Sequence, residues 1–445
     1  MTSILKVLRS AIFGNRPAVG AQQEGVPYVN FADKQFGVVD SSQTPRDLVG
    51  VPFFSTTANY NAGQPINYLG NLYVALVNVT AGAWNATQWS LVTSKQILDS
   101  KTVYPILSIN GSMSISQELG TTGITGFRTY AYILDGFGAG TGGTPAITAA
   151  QQTPCGVPGF VYQMNVLIST AAASLSAGDA VYACQTIEGT RVARLGWGTA
   201  NAQPMSIGFW AYCTITGNIA VAVRNAAANR SYVVDVAITA ANTWQWCTVT
   251  IPGDTTGTWP IGTVLGLVVN WCVAAGTTYR TTANTWQAGN LLGTAATMNL
   301  AASTSNSFNI TGVIIVPGTV LPPASMVPFV LPTYADELVA CQRYLRYIGY
   351  GIQGQAESAT QLMFSYIIYM PMRVIPTVTV PLPSVNVRRF YTGGDTNLTI
   401  SPTIDVTVGL FGGRWAWVMG GGAAVNAGER FQLQTDNVLK LDARL

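Results

Sequence analysis

A chain of 445 residues with only 9% charged side chains and a net charge of +3 departs from globular proteins, in which about a quarter of residues are charged. Its 48% hydrophobic content and 10% aromatics exclude a disordered chain, and it has no basic stripe for a nucleic acid. No stretch reaches the roughly 18–20 apolar residues of a membrane helix, so membrane insertion is not expected.

Gly, Thr, Ser, Asn and Gln stand where charge is missing. Such a surface suits packing against copies of itself or against other subunits. Lys6 and Arg9 interrupt the apolar N-terminal run, so a secretory signal is not expected. The six cysteines, Cys155, Cys184, Cys213, Cys247, Cys272 and Cys341, have no metal-type spacing. They are expected to be buried, reduced thiols made in a reducing cytoplasm.

Within 3–13, Ile4, Leu5, Leu8 and Ile12 give an apolar face that fits a helix or a short strand. It has no partner nearby and is expected to dock on another subunit. Tyr28–Phe31 and Gln35–Val39 predict a small hairpin, followed by a turn-rich link at Asp40–Pro45. The stretch 51–92 carries Asn59-Tyr60-Asn61-Ala62-Gly63, Asn67-Tyr68-Leu69-Gly70-Asn71-Leu72-Tyr73, Trp84 and Trp89. Two or three short strands around an aromatic cluster are expected there. Ser94–Lys101 predicts a short connecting helix, and the glycine-rich run Gly136–Gly143 a flexible loop.

Strands are expected at Phe160–Ile168, Ala180–Ile187 and Arg191–Trp197. From Pro204 the alternation becomes regular. Ile207, Phe209, Ala211 and Cys213 share one face, and Ser206, Gly208, Trp210 and Tyr212 the other. Further strands follow at Tyr232–Ile238, Trp244–Ile251, Val264–Val273 and Phe308–Val316, with a long loop at Ala274–Ala302. Asp235, flanked by Val234 and Val236, is expected to face solvent. Thr333–Tyr347 alone has helical spacing, with Thr333 as cap and Asp336 or Glu337 in the first turn. Later strands are read at Phe364–Met370, Thr377–Val380, Leu398–Ile400, Ile404–Leu410, Arg414–Met419 and Phe431–Thr435, with a turn at Gly420–Gly422.

The fold class is therefore mainly β: an antiparallel jelly-roll or β-sandwich domain, a small N-terminal β module, a C-terminal β domain, and one short helix between. The expected domains are 1–50, 51–95, 96–330 and 331–445.

Two resemblances add to this. The aromatic stretch 51–92 loosely resembles small chitin-binding-type modules, in which aromatics stack on sugar rings. Ser206-Ile207-Gly208-Phe209-Trp210-Ala211, Arg224-Asn225-Ala226, Arg230-Ser231-Tyr232, Pro252-Gly253-Asp254 and Thr285-Trp286-Gln287-Ala288-Gly289-Asn290 resemble a jelly-roll domain of tailed-bacteriophage tail-fibre and virion appendage proteins. That domain itself resembles carbohydrate-binding modules. Glu337-Leu338-Val339-Ala340-Cys341-Gln342-Arg343-Tyr344 is similar to a signature of the same phage proteins. The resemblance implies a virion protein, made in the host cytoplasm, that aids host attachment. Residues 1–50 would dock on other virion proteins, the subunits would form a homotrimer, and host-surface polysaccharide would be a ligand. It also allows calcium at loop carboxylates. A head fibre or capsid decoration protein and a polysaccharide depolymerase are the alternatives.

The absence of histidine removes Ser–His and Cys–His catalysis and the commonest zinc ligand. A carboxylate pair among Asp179, Glu188, Asp235 and Asp254 would be needed for glycoside hydrolysis. No enzyme is expected. Trp84, Trp89, Trp259, Trp286 and Asp254 are the candidate ligand-binding residues, because indole faces grip uncharged sugars. The competing reading is that each packs into a core.

Overall fold

The structure is a computed structural model. It describes residues 8–10, 27–30, 35–39, 45–49, 54–62, 64–68, 71–91, 105–349, 351–358, 361–367, 371–379, 385–390, 396–400, 402–409, 412–419, 427–434 and 439–445. The chain folds as two compact units, Met1–Val103 and Tyr104–Leu445.

In the first unit, β1 (Leu8–Ser10), β2 (Pro27–Asn30), β3 (Gln35–Val39) and β4 (Pro45–Val49) form one sheet in that order. The hairpin expected across residues 32–34 is present, since β2 and β3 pair antiparallel. Leu8 lies on β1, which runs parallel to β2. Ile4, Leu5 and Ile12 lie outside the described residues, as do the expected helix at 94–101 and the turn at 420–422. A second sheet joins β5 (Pro65–Tyr68), β6 (Asn71–Ala75) and β7 (Trp89–Leu91). So few residues can exclude water only with large rings. Trp84 accordingly stacks on Tyr68 at 3.9 Å and on Trp89 at 5.3 Å, while Phe54 meets it edge-on.

In the second unit two sheets face each other. One runs β19 (Trp286–Ala288), β16 (Arg230–Ile238), β15 (Gly217–Asn225), β18 (Leu265–Ala275), β13 (Ala180–Glu188), β10 (Phe137–Gly142), β9 (Ala131–Leu134). The other runs β17 (Gln245–Ile251), β14 (Met205–Cys213), β20 (Ser307–Pro317), β12 (Gln163–Thr170), β11 (Ala146–Gln152), β8 (Ile124–Phe127). All neighbours are antiparallel. The chain crosses repeatedly between the sheets, as in a jelly roll.

The alternation on β14 does what its period dictates: Ile207, Phe209, Ala211 and Cys213 are all fully buried between the sheets. Trp271 of β18 is at the centre, with Phe137 at 6.2 Å and Phe209 at 5.7 Å. On β20 the inward set switches from Phe308 and Ile310 to Val313 and Ile315. The switch falls at a bulge where Gly312 has φ +60°, a conformation that glycine adopts without steric cost.

Two expected elements differ. Gly136–Gly143 is not a loop; its core is strand β10. Arg191–Trp197 is not a strand. Helical turns occupy Gly189–Val192 and Ala193–Leu195, ended by Gly196 at φ +61°.

The helix Tyr334–Gln342 starts where Thr333 accepts a bond from the Asp336 amide, with Asp336 and Glu337 in its first turn. It stops short of the expected Tyr347 because β21 (Leu345–Ile348) begins there and pairs with β30 (Leu439–Asp442). β24 (Thr377–Thr379) completes that sheet. A last sheet runs β26 (Thr396–Ile400), β25 (Val385–Phe390), β29 (Arg430–Leu433), β22 (Gln353–Ser358), β23 (Gln361–Ile367), β28 (Gly412–Met419), β27 (Pro402–Gly409).

The helix and the residues that follow it seat on the sandwich through buried acids. Glu188 at the end of β13 accepts two bonds from Arg343 and one from Tyr344. Glu337 accepts the Asn110 amide, and Asp135 is held by the backbone and side chain of Gln117. Burial pushes the Asp135 carboxyl up to about 6 and raises Glu337 too. Burial would also raise Glu188, but Arg343 and Tyr344 outweigh it and hold Glu188 below its ordinary range.

A pH dependence follows. Asp135 binds its proton more tightly folded than unfolded, so its contribution is complete below an ordinary aspartate pKa and is lost as pH rises through about 6. Glu188 works oppositely: its contribution is present above an ordinary glutamate pKa and is lost as pH falls through its lower folded value. The urea midpoint is therefore expected to rise from pH 7 toward pH 5, then fall in stronger acid. Asp135→Asn should flatten the upper limb, and a midpoint that fell steadily from pH 7 to 5 would contradict the assignment.

Candidate functional site

The glycine-rich strand shapes the outer face of the seven-stranded sheet. On β10, Gly138, Gly140 and Gly142 point outward while Phe137, Ala139 and Thr141 point inward, in register with β13. Outward neighbours are equally small: Cys184 and Ala180 on β13, Cys272 on β18, Ala220 and Ala222 on β15. A floor of small residues results, and it is buried. A Cβ at Gly138 would sit 2.4 Å from the Tyr130 ring, and one at Gly140 2.8 Å from the Tyr182 hydroxyl. The glycines are thus required by the tyrosines laid over them.

Polar groups lie within and beside this floor. Asn270 pairs with Ala222 and Cys184 across the sheet, is fully buried, and donates to the Ala222 carbonyl at 3.3 Å. Its Oδ1 accepts nothing. Arg224 donates through Nη1 to Asn290 Oδ1 at 2.5 Å. Burial pushes Cys184 and Tyr182 up to about 12, and in both the nearby Arg224 charge opposes the shift. Tyr130 stands exposed at the rim, while Tyr182, Arg224, Tyr279 and Asn290 are half-buried. The face is a layer of small residues buried beneath Tyr130, Tyr182, Tyr279, Leu291 and Leu292, with Arg224 and Asn290 half-buried beside it.

Three of the sequence-predicted residues meet beside this face. Trp259, Trp286 and Trp197 pack edge to face at 4.7–5.5 Å, with Tyr232 against Trp286 at 5.1 Å. Each indole N–H is bonded: Trp197 to the Gln203 carbonyl, Trp259 to Asp254, and Trp286 to the Pro252 carbonyl. Asp254, fully buried, takes both oxygens to Arg230 at 2.9 and 2.7 Å and accepts the amides of Thr256 and Gly257. Burial would raise its pKa, but these bonds hold it below the usual range. The cluster is a packed corner that anchors β19 and the following loop. Trp84 and Trp89 belong to the first unit, where their faces are taken by each other and by Tyr68.

No three metal-ligating side chains converge among the described residues, and the loop carboxylate Asp254 has both oxygens on Arg230. Asp235 is half-buried on the same outer face, not free in solvent, and accepts from Thr294. Asp179 accepts the amides of Thr144 and Ser176.

The outer face of the six-stranded sheet also bears aromatics, with Trp210 and Trp246 at 5.7 Å and Tyr212 and Trp244 at 5.7 Å. It is largely roofed by Cys155, Val157, Phe160, Val327 and Leu331. The tyrosine-covered glycine strand was missed in sequence because it is defined by absent side chains. The one available signal was glycine at every second position from 138 to 142.

No family model and no curated protein matches the chain. Solved structures similar to it include a family 11 carbohydrate-binding module of a cellulosomal cellulase of Clostridium thermocellum. That match is at 11% identity with a TM-score of 0.23, over 46% of this chain and 100% of that one. A putative sugar binding protein from Bacteroides thetaiotaomicron is similar at 10% identity and TM-score 0.28, over 48% and 99%. The enzymatically active domain of a tailspike protein of bacteriophage CBA120 is similar at 12% identity and TM-score 0.22, over 46% of this chain and only 22% of that one. At such scores the sandwich architecture rests on the strand pairing of this chain itself.

Proposed function

We propose that this chain is a non-catalytic structural subunit of a bacteriophage virion, a tail fibre or spike component whose sandwich holds host-surface polysaccharide against the partly exposed rings of Tyr130, Tyr182 and Tyr279. The observation that carries the binding role is the row of partly exposed tyrosines, Tyr130, Tyr182 and Tyr279, packed over the glycines of β10, with Arg224 and Asn290 half-buried nearby. Sugars present C–H faces to rings and hydroxyls to amides, and such a surface offers both. The virion role is supported by the resemblance of the Ser206–Asn290 segments and of Glu337–Tyr344 to phage appendage proteins. The low charge supports extensive contact with other virion proteins and with copies of itself as a homotrimer. A non-catalytic role is supported by Asp179, Glu188, Asp235 and Asp254, each of which is engaged by protein donors.

The test is binding of the purified chain to isolated host-surface polysaccharide, together with competition against infection. Tyr130→Ala and Tyr182→Ala are each expected to weaken binding about 3- to 10-fold. A chain that binds no surface polysaccharide and leaves infection unaffected would sink this reading.

A further inference from the structure

Beside the roof of the six-stranded sheet is a cleft of about 270 Å³, and we infer that it binds a single unit of an uncharged sugar. The cleft lies between residues 112–114, the loop 159–162 and the stretch 328–334. It is open to solvent, since Val161 and Tyr334 on its lining are 60% and 61% exposed. Phe160 and Leu331 of its lining pack on the outer side of β20, whereas Tyr130 and Tyr182 cover the other sheet. It is therefore a second site, independent of the tyrosine row. Its size falls just under the roughly 300–1,000 Å³ of most small-molecule pockets, which suits one or two rings and not a length of polymer.

The lining is held in place before any ligand arrives. Met113 has φ +58°, a conformation that a long side chain seldom adopts. Its side chain is fully buried, and Gln151 bonds its carbonyl at 2.7 Å. Asn110 ties the same turn to Ile115 and Asp135. With Met113 turned inward, the half-buried Ser112 and Ser114 on either side of it line the cleft. Gly159 lies so close to Pro328 that a Cβ there would be 2.6 Å from the ring.

The chemistry of the lining selects the ligand. It has the rings of Phe160, Tyr162 and Tyr334 and no Asp, Glu, Lys or Arg, so a charged group would find no counter-charge. A wholly apolar ligand would cover hydroxyls without bonding them. Ser112 donates to Ser114 at 3.0 Å, which leaves the Ser114 proton for a ligand. The hydroxyls of Tyr162 and Tyr334 have no protein partner among the described residues. An uncharged pyranose matches this set: its C–H faces meet rings and its hydroxyls both donate and accept.

The experiment is saturation-transfer NMR of the full chain with glucose, galactose, mannose, rhamnose and N-acetylglucosamine. At least one is expected to bind with a dissociation constant on the order of 1–10 mM. Tyr334→Ala should weaken it about 3- to 10-fold, and Ser112→Ala with Ser114→Ala about 5- to 30-fold. Tyr334 is exposed, so its replacement should leave the thermal transition in place. Tyr130→Ala and Tyr182→Ala should leave binding of the single sugar unchanged, which separates this cleft from the polysaccharide surface. No transfer to any of the five sugars overturns the inference and leaves the polysaccharide reading to its own test. Sugar binding that survives Tyr334→Ala and the double serine variant, or that is lost on Tyr130→Ala, overturns the assignment to the cleft. Sedimentation of the same variants gives the remaining outcome: subunits that separate on Tyr334→Ala, with no sugar bound by the parent chain, would make the cleft a contact between copies and overturn the sugar site.

Discussion

Arg343→Ala is expected to cost about 3–5 kcal/mol, read as a fall in the urea midpoint. Glu188 is almost wholly buried, and Arg343 is its one salt-bridge partner among the described residues. Removing the guanidinium takes away two hydrogen bonds and the balancing charge from an almost wholly buried carboxylate, and the bond from Tyr344 remains. The reverse change is milder. Arg343 is 31% exposed on its side-chain surface, so after Glu188→Ala it rehydrates, and about 1–2 kcal/mol is expected. The two variants thus differ in sign of leftover charge and in its access to water. Equal losses would show that the contact works by shape alone.

The second large effect is at Asp254. Its replacement by alanine strands the Arg230 guanidinium, the Trp259 indole N–H and the amides of Thr256 and Gly257 together. About 3–4 kcal/mol is expected. Near-ultraviolet circular dichroism should change as well, because the Trp197–Trp259–Trp286 packing loses its tether. If Asp254→Ala melted like the parent chain, the corner would not be what fixes β19.

What the sequence made legible follows from period and size. Side chains on β14 alternate between a dry and a wet face, so their order alone placed Ile207, Phe209, Ala211 and Cys213 inward. Thr333 and Asp336 declared a helix start through local hydrogen bonding. Glycine has no side chain to alternate, and the tyrosines that fill the space over Gly138 and Gly140 come from other strands, so β10 read as a loop. Arg191–Trp197 is too short for its period to be read, and its turns are set by the close approach of Gly189 to the Pro260 and Gly262 carbonyls. Trp259, Trp286 and Asp254 were recognisable one by one as chemistry-bearing residues. Their meeting with Arg230 depends on β16 lying beside β19, which no local pattern encodes. The buried Glu188 and Glu337 were hidden for the same reason: a carboxylate reads as surface until its partner is known.

The place of β20 has a consequence for how the chain is made. It is the last of the sandwich strands to be synthesised, yet it lies between β12 and β14 in the middle of its sheet. Until it emerges, β8, β11 and β12 form one fragment and β14 and β17 another, each with an open edge. From Met205 to Pro317 a ribosome adding about 5–20 residues per second takes on the order of 6–20 s. For that interval two apolar strand edges have no partner, and pairing with a neighbouring nascent chain competes with waiting for β20. The yield of folded subunit should therefore depend on synthesis rate and on holding chaperones more steeply than the stability of the finished sandwich would indicate.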